Sequence, residues 1–267
     1  MRAGGLVGLA LVGVVVGAAV FAPWVATHDP AALDVMRRFA GPSRAHWLGT
    51  DEVGRDLFSR LVWGSRVAME VAVLAIALAL FLGGGLGLLA AWVRRAERPV
   101  LVLFDAVAAF PSLVLALAAV AVLGPGTGLT VMVVAATLAP SFGRVARVQA
   151  AALRGAPFVE AARSLGMGPG RLVLRHIVPN LAGPLLVLAG MEVPGAVTVE
   201  AGLSFLGLGV QPPYASWGTL INDGYAYLGQ SAWPALAACG ALAAATLGFT
   251  LLGEALRDGL ARGASGL

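Results

Sequence analysis

Apolar residues fill long uncharged stretches of this chain, and polar residues collect in the segments between them. Six such stretches stand out, at about 3–26, 67–92, 100–123, 128–143, 177–199 and 233–253. Most are near the roughly 20 residues that a helix needs to cross a hydrocarbon core of about 30 Å. None alternates with period two, so the pattern predicts helices and not a closed barrel. The fourth stretch is short, and its helix is expected to continue past Arg144 into water, with arginines snorkelling to the interface. The first stretch is longer than the apolar core of a signal peptide and has no following A-x-A site, so it reads as a retained span. Gly4, Gly8, Gly13 and Gly17 place two G-x-x-x-G spacings along it, a pattern that permits close helix contact.

Composition agrees with this reading. Of 267 residues, 59% are apolar and 12% charged, too few charges to coat a soluble domain. All 18 basic residues are arginine. Without lysine there is no G-x4-G-K-[ST] loop, so the chain is expected to bind no nucleotide itself, and Gly124-Pro125-Gly126-Thr127-Gly128 reads as a span connection. The arginines lie at span ends and form no basic face for nucleic acid. Placing the amino terminus inside puts twelve arginines in cytoplasmic segments and six in the first outer segment, which favours both termini inside. Trp24, Trp63, Trp92 and Trp233 fall at predicted span ends, where indoles favour the headgroup layer. Cys239 alone supports no disulfide. His28, His46 and His176 are far apart, so no metal site is expected.

Three polar segments carry the chemistry. Residues 159–180, VEAARSLGMGPGRLVLRHIVPN, read as a short helix, a glycine turn and a second helix closed by Pro179. Glu160 near the helix start suits the dipole, and Gly166 suits a positive φ at its end. Gly49, Asp51, Gly54, Arg55 and Asp56 form a turn-rich segment before the second span, without the spacing of a calcium loop. Arg55 is expected to pair with a nearby carboxylate there. Glu192 and Glu200 lie in or beside the fifth span. Carboxylates there are costly and become pathway candidates, with pairing to a neighbouring helix as the plainer reading for Glu192. Glu70 and Asp105 lie closer to span ends.

These segments resemble known motifs. Glu160-Ala161-Ala162, Arg163, Leu165, Gly166 and Pro179 are similar to the EAA loop of ABC importer permeases, with His176 and Val178 where isoleucine and leucine are usual. His46-Trp47-Leu48-Gly49-Thr50-Asp51 through Gly54-Arg55-Asp56 resembles the H-x-L-G-T-D-x-x-G-R-D signature of dipeptide/oligopeptide permease C subunits. The run from Glu200 to Gly209, then Gln211-Pro212-Pro213 and Ser216-Trp217-Gly218, is similar to the same subunit. The resemblance implies an all-α, type I ABC importer permease with six spans. Residues 1–66 would supply the first span and an external segment, and residues 67–267 a five-span core with a coupling loop at about 144–176. It further implies a non-catalytic subunit in a bacterial or archaeal cytoplasmic membrane. Its partners would be a homologous permease, two ATPases that hold ATP and Mg, an extracytoplasmic solute-binding protein and lipid, with no nucleic acid. Di- or oligopeptides are the expected solutes, with nickel chelates or other small solutes as alternatives. An ion-coupled transporter using Glu192 is the competing class, although no inverted repeat is visible. An intramembrane enzyme lacks its motifs.

Overall fold

The computed structural model describes the backbone of residues 3–264 and the side chains of residues 4–258. The described residues form helices, with a single isolated bridge between Thr50 and Asp56. The helices are α1 (Ala3–Val20), α2 (Ala22–Val25), α3 (Leu57–Ala79), α4 (Gly85–Trp92), α5 (Arg94–Ala109), α6 (Ser112–Leu123), α7 (Thr127–Leu153), α8 (Pro157–Ser164), α9 (Pro169–Leu172), α10 (Val178–Phe205), α11 (Trp217–Ala226) and α12 (Trp233–Ala264). Wider π turns at Leu80–Gly84 and Val173–Ile177 join α3 to α4 and α9 to α10 without ending the helix.

Among the described residues, four continuous helices are long and apolar enough to cross a membrane: Leu57–Trp92, Thr127–Leu153, Pro169–Phe205 and Trp233–Asp258. The expected third span is not one straight helix. It breaks into α5 and α6, which meet at 92° and make a fifth candidate if counted together. The cause is local. Pro111 drives the preceding residue, Phe110, out of the helical region to ψ 128°, and Pro111 itself is extended at ψ 134°. The apolar Gly4–Val20 is shorter than these spans, and the chain breaks at Phe21 before α2. Pro179 does not close the second loop helix as expected. The helix passes through the π turn and continues, with Pro179 in the first turn of α10, where a missing N–H is tolerated.

Lipid supplies little drive for apolar helices to associate, so close approach of small residues matters more. The central α7 touches α3, α4, α5, α6 and α10. Ala68, Ala72, Ala75 and Ala79 on α3 are buried, as are Ala146 and Ala150 on α7. At the α4–α7 crossing, a Cβ added to Gly87 would stand 2.0 Å from the Gly143 carbonyl oxygen, so no side chain fits there. The α1–α12 crossing has the same character: a Cβ on Gly8 would lie 2.7 Å from the Leu252 nitrogen. Of the two glycine spacings in α1, Gly4 and Gly8 therefore face α12, whereas Gly13 and Gly17 have nothing within 4 Å.

Candidate functional site

The loop between α7 and α10 is organised by the short α8. Ala156 and Pro157 start it, and Gly166 ends it at φ +78°, a value that glycine adopts without a Cβ penalty. The Gly166 and Met167 N–H groups donate to the carbonyls of Arg163 and Ala162 at 2.9 and 3.1 Å, which satisfies the helix end. One face of α8 is committed to the body: Val159 and Ala162 are buried in the main core. The other face presents Glu160, Ala161, Arg163, Ser164 and Leu165, all exposed. The alanine pair of the motif is thus divided, with Ala162 packed inward and Ala161 turned outward. Leu165 is 87% exposed and Leu174, beyond the glycine turn, 72%.

Trp92 at the end of α4 anchors the base of this loop. The Arg154 and Arg163 guanidinium carbons lie 5.5 and 5.8 Å from its ring centroid, within cation–π range, and Arg154 donates to the Ala91 carbonyl at 2.6 Å. Ion pairs Arg147–Glu97 at 2.9 Å and Arg144–Asp105 at 2.8 Å tie the end of α7 to α5. Asp105 is therefore paired across the α5–α7 contact. Glu70 is exposed on α3.

The segment before α3 builds a second polar site. Gly49 and Gly54 turn it at φ +79° and +80°, and a Cβ on Gly54 would collide with the Asp34 carbonyl. Arg55 pairs with Asp51 at 2.7 Å and Glu52 at 2.5 Å, as expected for it. Arg60 also bonds Asp51, and both arginines reach Asp223 on α11, at 3.3 and 3.4 Å. This cluster borders a cavity of about 210 Å³ that Gln211, Tyr214 and Asn222 also line. Burial first, and the nearby Asp51 charge second, hold the Glu52 carboxyl above its ordinary range in spite of Arg55. Asp56 caps α3 by accepting from the Ser59 N–H at 2.8 Å. Burial pushes its pKa up, but the Ser59, His46 and His28 interactions prevail and hold it below the usual range.

The pathway candidates separate. Glu200 is fully buried, accepts from the Ser204 hydroxyl at 2.8 Å and faces Ser216, so it joins α10 to the α11 region and lines no open space in this chain. Glu192 is half-buried on α10 beside Ser141 of α7. Sequence reading missed three features. Asp223 closes the arginine cluster from 163 residues beyond Arg60. The Trp217 indole N–H donates to the Leu61 carbonyl at 3.0 Å, which locks α11 on α3. His28 and His46, expected to be apart, have ring centroids 4.7 Å apart, beside Asp56. No local spacing announces any of these, because the partners come from different elements.

Comparison with known proteins places this architecture. Residues 83–264 match the family described as binding-protein-dependent transport system inner membrane component, and residues 3–42 match the N-terminal TM domain of oligopeptide transport permease C. The chain is 37% identical over 96% of its length to the dipeptide transport system permease protein DppC of Alkalihalophilus pseudofirmus, covering 84% of that protein. It is 38% identical to the probable D,D-dipeptide transport system permease protein DdpC of Escherichia coli, over 90% of this chain and 80% of that one. A solved structure of the inward-facing MetNI methionine ABC transporter has the same fold, with a TM-score of 0.60 at 17% identity, covering 74% of this chain and 94% of that one. With a family match spanning most of the helical body and relatives aligned along nearly its whole length, this chain belongs to the family of binding-protein-dependent transport system inner membrane components.

Proposed function

We propose that this chain is one permease subunit of an ATP-driven importer of di- or oligopeptides, and that α8 is the contact through which a cytoplasmic ATPase moves it. The observation that carries the coupling role is the division of α8. An eight-residue helix is marginal in water. Here Val159 and Ala162 secure one face, while Glu160, Ala161 and Leu165 remain exposed among the described residues. A protein groove over that face would complete its packing. Six matched relatives carry dipeptide, peptide or di/tripeptide transport in their names, a seventh is named a peptide permease, and another carries glutathione transport, which supports a short peptide as solute.

In this reading the chain crosses a bacterial or archaeal cytoplasmic membrane six times, α1 with α2 and the bent α5–α6 pair each counting as one crossing. Both termini and residues 94–98 lie inside, while residues 29–66 and 211–232 face outside, where a solute-binding protein docks. A second, homologous permease completes the pathway, two ATPases hold the nucleotide, and ATP-driven rocking alternates access. The twelve-to-six arginine distribution supports this orientation.

Glu160→Lys and Gly166→Val test the coupling role. Valine at φ +78° is strained by about 1–3 kcal/mol, and lysine opposes the helix dipole. Neither alters a span. Both variants are expected to insert normally and to lose peptide uptake, with weakened co-purification of the ATPases or uncoupled hydrolysis. Insertion and orientation are read by external labelling of Gly229→Cys in a Cys239→Ala background. Normal uptake by both variants would end the coupling role, and labelling from the cytoplasm alone would end the topology.

A further inference from the structure

His28 follows the end of α2, His46 lies in the connecting segment, and Asp56 caps α3. Their approach is more specific than general crowding. Asp56 Oδ1 is 2.9 Å from His46 Nδ1 and 3.7 Å from His28 Nδ1, and the three candidate donor atoms lie within 4.8 Å of one another. The second carboxylate oxygen is already engaged. Oδ2 accepts from the Ser59 N–H at 2.8 Å and from the Thr27 hydroxyl at 3.3 Å, which fixes the carboxylate with Oδ1 toward both rings. Ser59 also holds the other side of the cluster, accepting from the His28 N–H at 3.0 Å.

Two imidazoles and one carboxylate are a donor set for zinc and neighbouring divalent transition metals. Bonds of about 2.0–2.2 Å to three corners of a tetrahedron put ligand atoms roughly 3.3–3.5 Å apart. That spacing falls between the two observed distances to Oδ1. The Asp56 and His46 side chains are 1% and 10% exposed, so they form a fixed floor, while His28 at 40% leaves an entry path and room for a water as fourth ligand. A histidine satisfied by an ordinary hydrogen bond accounts for His46. His28 Nδ1 has its own partner in the metal-free site, the Thr27 hydroxyl at 3.0 Å, and loading exchanges that contact for the metal while the ring stays on the side of Asp56 Oδ1.

Arg37 sets the condition for binding. Its guanidinium only donates, and it stands 3.5 Å from His46 Nε2, so in the metal-free site Nε2 accepts and Nδ1–H donates to Asp56. Loading moves that proton to Nε2 and turns Arg37 away. The cost is small because Arg37 is already 58% exposed and keeps Asp34 at 3.3 Å.

We propose that His28, His46 and Asp56 form a binding site for a zinc-class divalent metal ion, which staples the end of α2, the connecting segment and the start of α3. The site does not depend on the transport reading, because it is tested on the purified full-length chain. With any affinity tag removed, Co²⁺ serves as the probe. Visible d–d bands should saturate at one ion per chain and be displaced by Zn²⁺. His28→Ala, a change at a half-exposed position, should weaken binding by more than the roughly 10–100-fold lost when only a supporting partner is removed. Zn²⁺ should raise the Tm of the wild type and not of His28→Ala. Absence of the bands, equal bands in His28→Ala, or their loss in Cys239→Ala instead would each overturn the assignment.

Discussion

Arg60 and Leu165 belong to two polar regions of one membrane chain, and their surroundings are opposite. Arg60 is buried between Asp51 and Asp223, beside an Arg55 that shares both partners. Leu165 is an apolar side chain left 87% exposed at the end of a helix whose other face is buried. In the first region the chain neutralises its own charges, because a buried ion without a partner costs several kcal/mol. In the second it leaves apolar surface outside a span, which the proposed ATPase contact would cover. A region whose charges pair within the chain positions elements of the fold.

The comparison is sharpest at Arg60. Arg60→Ala removes one of the two arginines that Asp51 and Asp223 share, and is expected to destabilise the protein by about 1.5–3 kcal/mol, the range for hydrogen bonds to charged groups. Thermal unfolding in detergent measures this, and an unchanged Tm would show that the cluster is not structural.

Glu52 tests the same region more gently. Its pKa is raised above the ordinary 4.5 by burial and by Asp51. The folded state therefore disfavours its ionised form: the neutral carboxyl's relative stabilisation is fully present below the unfolded pKa and is lost as pH rises through the folded one. Glu52→Gln stays neutral throughout. The variant should gain stability relative to wild type as pH rises from about 4 to 7, a window that brackets the ordinary carboxylate value. Parallel pH–stability curves for the two proteins would contradict this.

Leu165→Ala should change stability least, within about 0.5 kcal/mol, as for exposed sites away from special features. Its effect belongs to assembly: co-purification of the ATPases should fall although unfolding is unchanged. A stability loss as large as that of Arg60→Ala, with ATPase binding intact, would invert the contrast between the two regions.

Much of this molecule was legible in one dimension. Long uncharged runs in a chain with 12% charged residues require a membrane, and a membrane requires helices whose backbone groups are satisfied internally. Gly166 could be read as a helix stop because only local backbone sterics are involved, and φ +78° is the outcome. Arg55 could be paired because its carboxylates lie three and four residues away. The break at Phe110-Pro111 was legible in principle, since proline acts on its immediate neighbour, but the continuous apolar run on either side concealed it.

Tertiary structure alone decided the rest. That Asp223 meets Arg60, that Trp217 seals against Leu61, and that His28 and His46 converge on Asp56 depends on how separate elements dock. The direction of Ala162, inward while Ala161 points out, depends on which face of α8 the core covers. Glu200 reads like a pathway residue until α10 and α11 come together around it. Local sequence specifies what a segment can become, through sterics and hydrogen bonds that act over a few residues. Which side chains then share a site is set by packing between segments far apart in the chain, and no spacing within either segment encodes the other's position.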